Sequence, residues 1–140
     1  MPTEEYPKVY LYKRIVQAKL FIDKNYAENI DLDNIADEAY FSKFHFIRLF
    51  KTIYGSTPHY YLRQVRIDQA KKLLAKNIAP SRVCALVGFD STTSFTGLFK
   101  KMTSFTPAAY QLQQRKRKAA IATNPVQFVP ACYAHQTGWL

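Results

Sequence analysis

The chain has 140 residues, of which 48% are hydrophobic and 21% charged, so it has the composition of one packed domain, or two small ones sharing a core, and not of a disordered polyelectrolyte. Its 20 lysines and arginines exceed its 10 aspartates and glutamates for a net charge of +10, and residues 69–140 carry ten basic side chains against one acid, which favours a polyanionic partner. Two cysteines 48 positions apart and a C-terminal uncharged run broken by prolines argue against a disulfide framework, a cysteine-paired metal motif and a membrane span.

The chain opens on an acidic stretch, residues 1–8, which we predict to be an N-terminal extension. The stretch lacks the apolar segment of a signal peptide, so we expect a soluble, cytoplasmic protein in a reducing compartment. Four apolar residues at helical spacing then predict an amphipathic helix that ends near residues 25–26: Leu11, Ile15, Ala18 and Ile22.

An internal repeat with an offset of 49 residues organises the middle of the chain. Residues 36–62 and 85–111 share nine identical residues in 27 positions, where average residue usage gives about two by chance. The identical pairs are Ala36/Ala85, Ser42/Ser91, Phe46/Phe95, Leu49/Leu98, Phe50/Phe99, Lys51/Lys100, Thr57/Thr106, Pro58/Pro107 and Tyr61/Tyr110. We interpret the repeat as two copies of one structural unit.

Each copy is predicted to form two short helices joined by a tight turn, which is the helix-turn-helix pattern. In the first copy Asp31 caps one helix, and Ser42 caps a second helix that ends at Gly55. In the second copy the turn is residues 88–90, and Ser91 caps the second helix. Each second helix has an apolar core stripe at i, i+3, i+4 and i+7, formed by Phe46, Leu49, Phe50 and Ile53 and then by Phe95, Leu98, Phe99 and Met102.

Thr57–Pro58 starts a long linker helix, with proline at its first position, that runs to about residue 77. Its apolar residues cover more than one face, so we expect it to pack against both copies. A last helix starts at Thr106–Pro107 and runs to Lys118. The prediction is an all-α fold of about seven helices, with two helix-turn-helix subdomains joined by the linker helix. Its parts are the extension 1–8, the first subdomain 9–56, the linker helix 57–77, the second subdomain 78–118 and a flexible tail 119–140.

The face of each second helix opposite its core stripe carries the candidate DNA-binding residues. In a major groove, Arg48 can donate two hydrogen bonds to guanine, and Phe44 and Ile47 can contact thymine methyl groups. Thr93 and Thr96 suit either kind of base contact. The basic and capping residues beside them are the candidate phosphate contacts: Ser42, Lys43, Lys51, Ser91, Lys100 and Lys101.

A different interpretation of the same residues stays open. Phe44 and Ile47 also suit packing against the opening helix or against another protein. The chain is then a helical protein-interaction module or a non-specific polyanion-binding module without sequence readout. Arg48 also suits an ion pair with Asp37 or Glu38.

The sequence contains no pattern that indicates catalysis. Its three histidines have no metal-ligand spacing with either cysteine or with a cluster of carboxylates, and glycine-rich phosphate loops and nucleophile motifs are missing. Cys84 corresponds to Ile35 in the first copy, which indicates a core residue. We therefore expect no enzyme activity, no metal and no cofactor. The basic segment 113–118 is either solvated or adds phosphate contacts.

Four motifs follow one another in the second half of the chain: Arg66-Ile67-x-x-Ala70-x-x-Leu73-Leu74, Val87-Gly88-Phe89-Asp90, Phe95-x-x-x-Phe99-Lys100-Lys101 and Thr106-Pro107-x-x-Tyr110. Together with the first copy, from Ala36 through Arg48 to Gly55, they resemble the DNA-binding domain of AraC/XylS-type transcriptional regulators over about residues 9–113. The resemblance implies seven helices and two helix-turn-helix units. It also implies that one monomer contacts two adjacent major grooves of double-stranded DNA and that transcription is activated through contact with RNA polymerase. From the sequence itself we expect no membrane partner.

Three residues depart from the pattern of that family. Gly97 stands where the second recognition helix often carries an arginine, Ser94 stands where an aromatic residue is common, and Ser104 replaces the glycine before the Thr-Pro pair. We therefore expect the first unit to dominate base reading and the second to hold mainly phosphates. The sensor domain that most members carry is not in this sequence, so we expect a short stand-alone regulator or the C-terminal domain of a longer one.

Overall fold

The computed structural model describes residues 5–33 and 43–123, and within these ranges the fold is all-α, as predicted. Its helices are α1 (Glu5–Asn25), α2 (Lys43–Tyr54), α3 (Pro58–Ala75), α4 (Pro80–Leu86), α5 (Thr92–Thr103) and α6 (Pro107–Thr123). A seventh helix is predicted after Asp31, and it falls mainly in residues 34–42, which lie outside the described residues. Ser42 and residues 124–140 lie outside them as well.

Local sequence signals determine where the helices begin and end. The Thr57 hydroxyl accepts a hydrogen bond from the Tyr60 amide at 3.3 Å before α3, and the Ser91 hydroxyl accepts one from the Ser94 amide at 3.1 Å before α5. These contacts satisfy backbone donors that a helix leaves without partners at its N-terminus. The chain leaves α2 through Gly55 with a φ of +82°, a left-handed conformation that glycine adopts without steric cost.

Two hydrophobic cores pack against successive halves of α3. The first core joins α1 and α2 to the first half of α3, and the second joins the second half of α3 to α4 and α5, with Tyr110 of α6 packed against it. We call the helices around these cores the first unit and the second unit. The predicted stripes are the centre of each core, since Phe46, Phe50, Phe95 and Phe99 are fully buried. The expectation that α3 packs against both copies is therefore confirmed.

The repeat is longer in the structure than in the sequence alignment. Ile15, Ala18 and Ile22 of α1 are buried in the first core, and Ile67, Ala70 and Leu74 of α3 are buried in the second core with the same spacing. These sets differ by 52 positions instead of 49, because the connection after α1 is longer than the connection after α3. The helix α3 is thus the last helix of the first unit and also the first helix of the second.

The first and the last described helices both cross the domain boundaries that the sequence predicts. Helix α1 begins at Glu5, inside the predicted extension 1–8, and α6 continues to Thr123, five residues past the predicted end of the second subdomain. The continuation of α6 contains three alanines, which have the highest helix propensity of any residue. Both boundaries, at residues 8/9 and 118/119, therefore fall within helices.

Candidate nucleic-acid interface

The outer face of α2 presents most of the residues that the sequence singled out. Phe44 is 75% exposed, although it is a large apolar side chain, and Arg48 and Lys51 are exposed beside it. Neither Arg48 nor Lys51 forms an ion pair within the described residues. Ile47 differs from them, because it is half-buried and packs against the first core. Phe44, Arg48 and Lys51 are thus more exposed than Ile47. Asp37 and Glu38, the carboxylates that also suit an ion pair with Arg48, lie outside the described residues.

The outer face of α5 is small and polar. Thr93, Thr96 and Lys100 are exposed there, and Lys100 occupies the position of Lys51 in the first unit. Gly97 lies at the centre of this face, and a Cβ atom built on it meets no other atom within 4 Å. No packing constraint in the described structure therefore requires glycine at this position, which corresponds to Arg48 in the first copy of the repeat.

The predicted phosphate contacts that the structure describes differ in the partners they already have. Lys51, Lys100 and Lys101 are exposed and form no ion pair within the described residues. Lys43 is exposed but its ammonium group lies 3.1 Å from a carboxylate oxygen of Asp33, so a phosphate would share or compete for this ammonium. Ser91 is exposed and caps α5, with its hydroxyl also 3.0 Å from the hydroxyl of Ser94.

Sequence reasoning missed the role of α6 in closing the C-terminal end of α3. The buried side chain of Gln111 donates hydrogen bonds from Nε2 to the carbonyl oxygens of Leu74 at 3.2 Å and Ile78 at 2.6 Å. The Leu74 carbonyl also accepts from the backbone amide of Asn77 at 3.1 Å, and the Gln111 amide supplies a further donor at this helix end, where carbonyls lack partners in the next turn. The signal for it was the repeat itself, because Gln111 replaces the buried Leu62 of the first unit.

The basic segment 113–118 is divided between two sides of α6. Arg115 donates a hydrogen bond from Nε to Oδ1 of Asn77 at 2.6 Å, and the ammonium group of Lys118 contacts the carbonyl oxygen of Ala75. Lys116 and Arg117 are exposed and form no ion pair within the described residues. Part of the segment therefore binds the end of α3, an outcome that neither of the two interpretations of its sequence included.

The remaining reactive side chains do not form a second kind of site in the described part of the chain. Cys84 is buried in the second core, and this burial raises the pKa of its thiol above the ordinary value. Within residues 5–33 and 43–123, histidine, cysteine and carboxylate side chains form no cluster that would hold a metal ion. The described helices also include none that is long and apolar enough to cross a membrane.

Comparison with known proteins identifies the family to which the chain is similar. Residues 35–113 match the family described as "Helix-turn-helix domain". The chain is 40% identical over 92 residues to the bifunctional transcriptional activator/DNA repair enzyme AdaA of Bacillus subtilis (strain 168), an alignment that covers 65% of this chain and 44% of AdaA. The chain spans 37% to 58% of the length of the first three curated relatives.

Solved structures have the same arrangement of helices. The DNA-binding domain of the global transcriptional factor AdpA, in complex with a target DNA, superimposes with a TM-score of 0.70 at 28% identity, over 75% of this chain and 96% of that one. A transcriptional regulator of the AraC-type DNA-binding domain-containing proteins from Chromobacterium violaceum superimposes with a TM-score of 0.64 at 24% identity, over 74% of this chain and 93% of that one. This chain belongs to the AraC-type family of helix-turn-helix transcription regulators.

Proposed function

We propose that this chain is a sequence-specific DNA-binding module of a transcription regulator, which inserts α2 and α5 into adjacent major grooves of double-stranded DNA and has no enzyme activity of its own. The observation that carries the proposal is the pair of recognition helices, which repeat one core stripe and each present an exposed outer face with a lysine at the equivalent position. The solved complex of AdpA with a target DNA supports this proposal, as does the description of AdaA as a transcriptional activator.

In this proposal the first unit reads most of the sequence. The guanidinium of Arg48 recognises a guanine with two hydrogen bonds, and the exposed ring of Phe44 contacts a thymine methyl group, with the accessible part of Ile47 beside it. In the second unit Thr93 and Thr96 make the remaining base contacts. Phosphates are bound by Ser42, Lys43 and Lys51 of the first unit and by Ser91, Lys100 and Lys101 of the second.

One monomer is sufficient for both grooves in this proposal. The 18 residues of α3 span roughly 27 Å at about 1.5 Å per residue, and successive major grooves on one side of DNA lie about 34 Å apart. Modules held closer than one helical turn favour DNA that bends toward the protein. Contact with RNA polymerase belongs to the same proposal and rests on the family alone.

Selection of bound sequences from a random DNA pool, with the purified chain near physiological salt, tests this function. The expected result is one well-defined box for the first unit and a weaker box about one helical turn away for the second. A folded protein that enriches no sequence would contradict the proposal. Salt-insensitive binding to a protein would then favour an interaction surface centred on Phe44.

Substitution of Arg48 tests its role in base reading. On the selected DNA, Arg48→Ala is expected to weaken binding by about 1–3 kcal/mol and to relax the preference at one position of the first box. The matched control is Lys51→Ala on the same helix, which should weaken binding to every sequence and reduce the salt slope by about one. Fluorescence anisotropy titrations at several salt concentrations measure both effects. An equal loss on all sequences for Arg48→Ala would assign that residue to phosphate binding.

A further inference from the structure

The two units meet at a junction that centres on the guanidinium of Arg66 in α3. Arg66 donates from Nε to the carbonyl oxygen of Tyr26 at 2.7 Å and from Nη2 to the carbonyl oxygen of Glu28 at 3.0 Å. Both carbonyls belong to the connection after α1, in the first unit. The same guanidinium lies over the ring of Phe89, 5.7 Å from its centroid, and Phe89 belongs to the turn before α5 in the second unit. One side chain of the shared helix therefore contacts both units.

Two neighbouring residues bring the same segments together. Tyr26 packs against the first core and also against the second. Gly88 has a φ of +94°, and a Cβ atom built on it would lie 2.9 Å from the carbonyl oxygen of Ala27, closer than a real Cβ approaches. The turn of the second unit is thus in direct backbone contact with the connection that follows α1 in the first unit.

The guanidinium of Arg66 favours one fixed arrangement of the carbonyls and the ring that it contacts. Burial lowers the pKa of its guanidinium from the ordinary value, and the nearby carboxylate of Asp90 acts in the opposite direction. Arginine nevertheless stays charged in proteins, and its planar group offers donors in fixed directions together with a face that stacks on an aromatic ring. A lysine has neither the two directed donors nor the planar face.

We propose that Arg66 is a positioning residue, which holds α2 and α5 at one separation and angle and so determines the spacing between the two DNA boxes that the chain accepts. This inference rests on the proposed function. Two linked modules gain affinity from each other only when both reach their DNA boxes at once. A fixed junction therefore favours one spacing between the boxes. A loosened junction accepts several spacings, with a smaller gain in affinity at each one.

The repeat supplies a matched control for this residue. Arg115 lies 49 positions after Arg66 and also caps the end of a first helix, because its Nε donates to Oδ1 of Asn77. Its other contact is Gln111 of its own helix, at 3.5 Å. Arg115 therefore links α6 to a residue that follows α3, and its hydrogen bonds within the described residues do not reach α1, α2 or the connection between them. Its loss is expected to leave the spacing preference unchanged.

DNA duplexes that differ only in box spacing test the proposal. The parent chain, Arg66→Met and Arg115→Met are each titrated with three kinds of duplex. The first kind carries the first box alone, and the second carries both boxes at the selected spacing. In the third kind one or two base pairs are inserted or deleted between the boxes. We expect the parent chain and Arg115→Met to prefer the selected spacing by about tenfold or more. Arg66→Met should keep its affinity for the single box within about twofold and lose most of the spacing preference. An unchanged preference in a folded Arg66→Met variant would overturn the proposal.

A second measurement does not depend on DNA. Spin labels on cysteines at the exposed positions Thr52 and Gln113, with Cys132→Ser, report the distance between the units by electron-electron double resonance. Arg66→Met should broaden the distance distribution, and Arg115→Met should not. An equally narrow distribution in Arg66→Met would overturn the inference even if the chain selected no DNA. Should Arg66→Met not fold, Arg66→Lys supplies both comparisons, because it keeps the charge and loses the planar group.

Discussion

Single residues at helix ends show how the two copies diverge. Gly55 ends α2 and Ser104 ends α5 at the equivalent position, and both have left-handed φ values, +82° and +70°. Only glycine adopts this conformation without a clash between Cβ and the backbone. The amide of Ser104 still donates to the carbonyl of Lys100 at 2.8 Å, so the second copy keeps the shape of the turn with a residue that fits it less well.

Replacing that residue is expected to stabilise the chain. Ser104→Gly removes the left-handed strain, which costs an L-residue about 1–2 kcal/mol. The greater conformational entropy of glycine in the unfolded chain reduces this stabilisation in part. The net expectation is a free energy of unfolding higher by about 1 kcal/mol, measured by urea denaturation. Ser104→Ala is the control, because it removes the exposed hydroxyl and keeps the strain. A gain in both variants would mean that the hydroxyl, and not the backbone, destabilises the turn.

Between elements, α1 and α3 are joined by a polar contact that depends on pH. The Tyr61 hydroxyl donates to a carboxylate oxygen of Asp23 at 2.5 Å, and the ammonium of Lys19 lies 2.7 Å from the same carboxylate group. Burial, followed by the hydrogen bond to Asp23, raises the pKa of Tyr61 from 10.0 to about 12.

A raised tyrosine pKa makes stability fall with pH in one window. Below pH 10 the phenol is neutral in both states and its contribution is complete; above pH 10 the unfolded chain ionises first, so the contribution declines until about pH 12. Urea denaturation between pH 8 and pH 11.5 should show a smaller decline for Tyr61→Phe than for the parent. Parallel curves for the two proteins would show that this phenol has an ordinary pKa.

The helix α5 has an unused position on its outer face. Gly97 has open space around its Cα, so Gly97→Ala should stabilise the chain by about 1 kcal/mol through helix propensity alone. Gly97→Arg should add a guanidinium on the groove side and sharpen the second box in DNA selection, with a discrimination of about 1–3 kcal/mol at one base pair. Gly97→Ala is the control for affinity. If both variants bind and select DNA alike, this face of α5 does not lie against base edges.

For the whole molecule, the sequence predicts the parts better than the way they are joined. The stripes through Phe46 and Phe95 predict the two cores because burial follows helical periodicity. The equivalence of α1 and α3 was hidden by the change of offset from 49 to 52. The junction was hidden because Arg66 binds backbone carbonyls of Tyr26 and Glu28, and a carbonyl has no side-chain signature in the sequence. The candidate DNA contacts were predicted from exposed faces, whereas the partial burial of Ile47 and the ion pair of Lys43 with Asp33 needed the structure.

The contact between units also makes a prediction about stability. Gly88 and Gly55 both have left-handed φ values, but a Cβ at Gly88 would lie 2.9 Å from the backbone oxygen of Ala27, whereas nothing lies within 4 Å at Gly55. Gly55→Ala should therefore cost about 1–2 kcal/mol from backbone strain alone. Gly88→Ala adds a clash with backbone that cannot move without separating the units, so we expect a loss of about 2–4 kcal/mol. Urea denaturation measures both. Equal losses of unfolding free energy would mean that the two units move apart enough to accommodate a methyl group. Their contact would then be less rigid than the distances at Arg66 and Gly88 indicate.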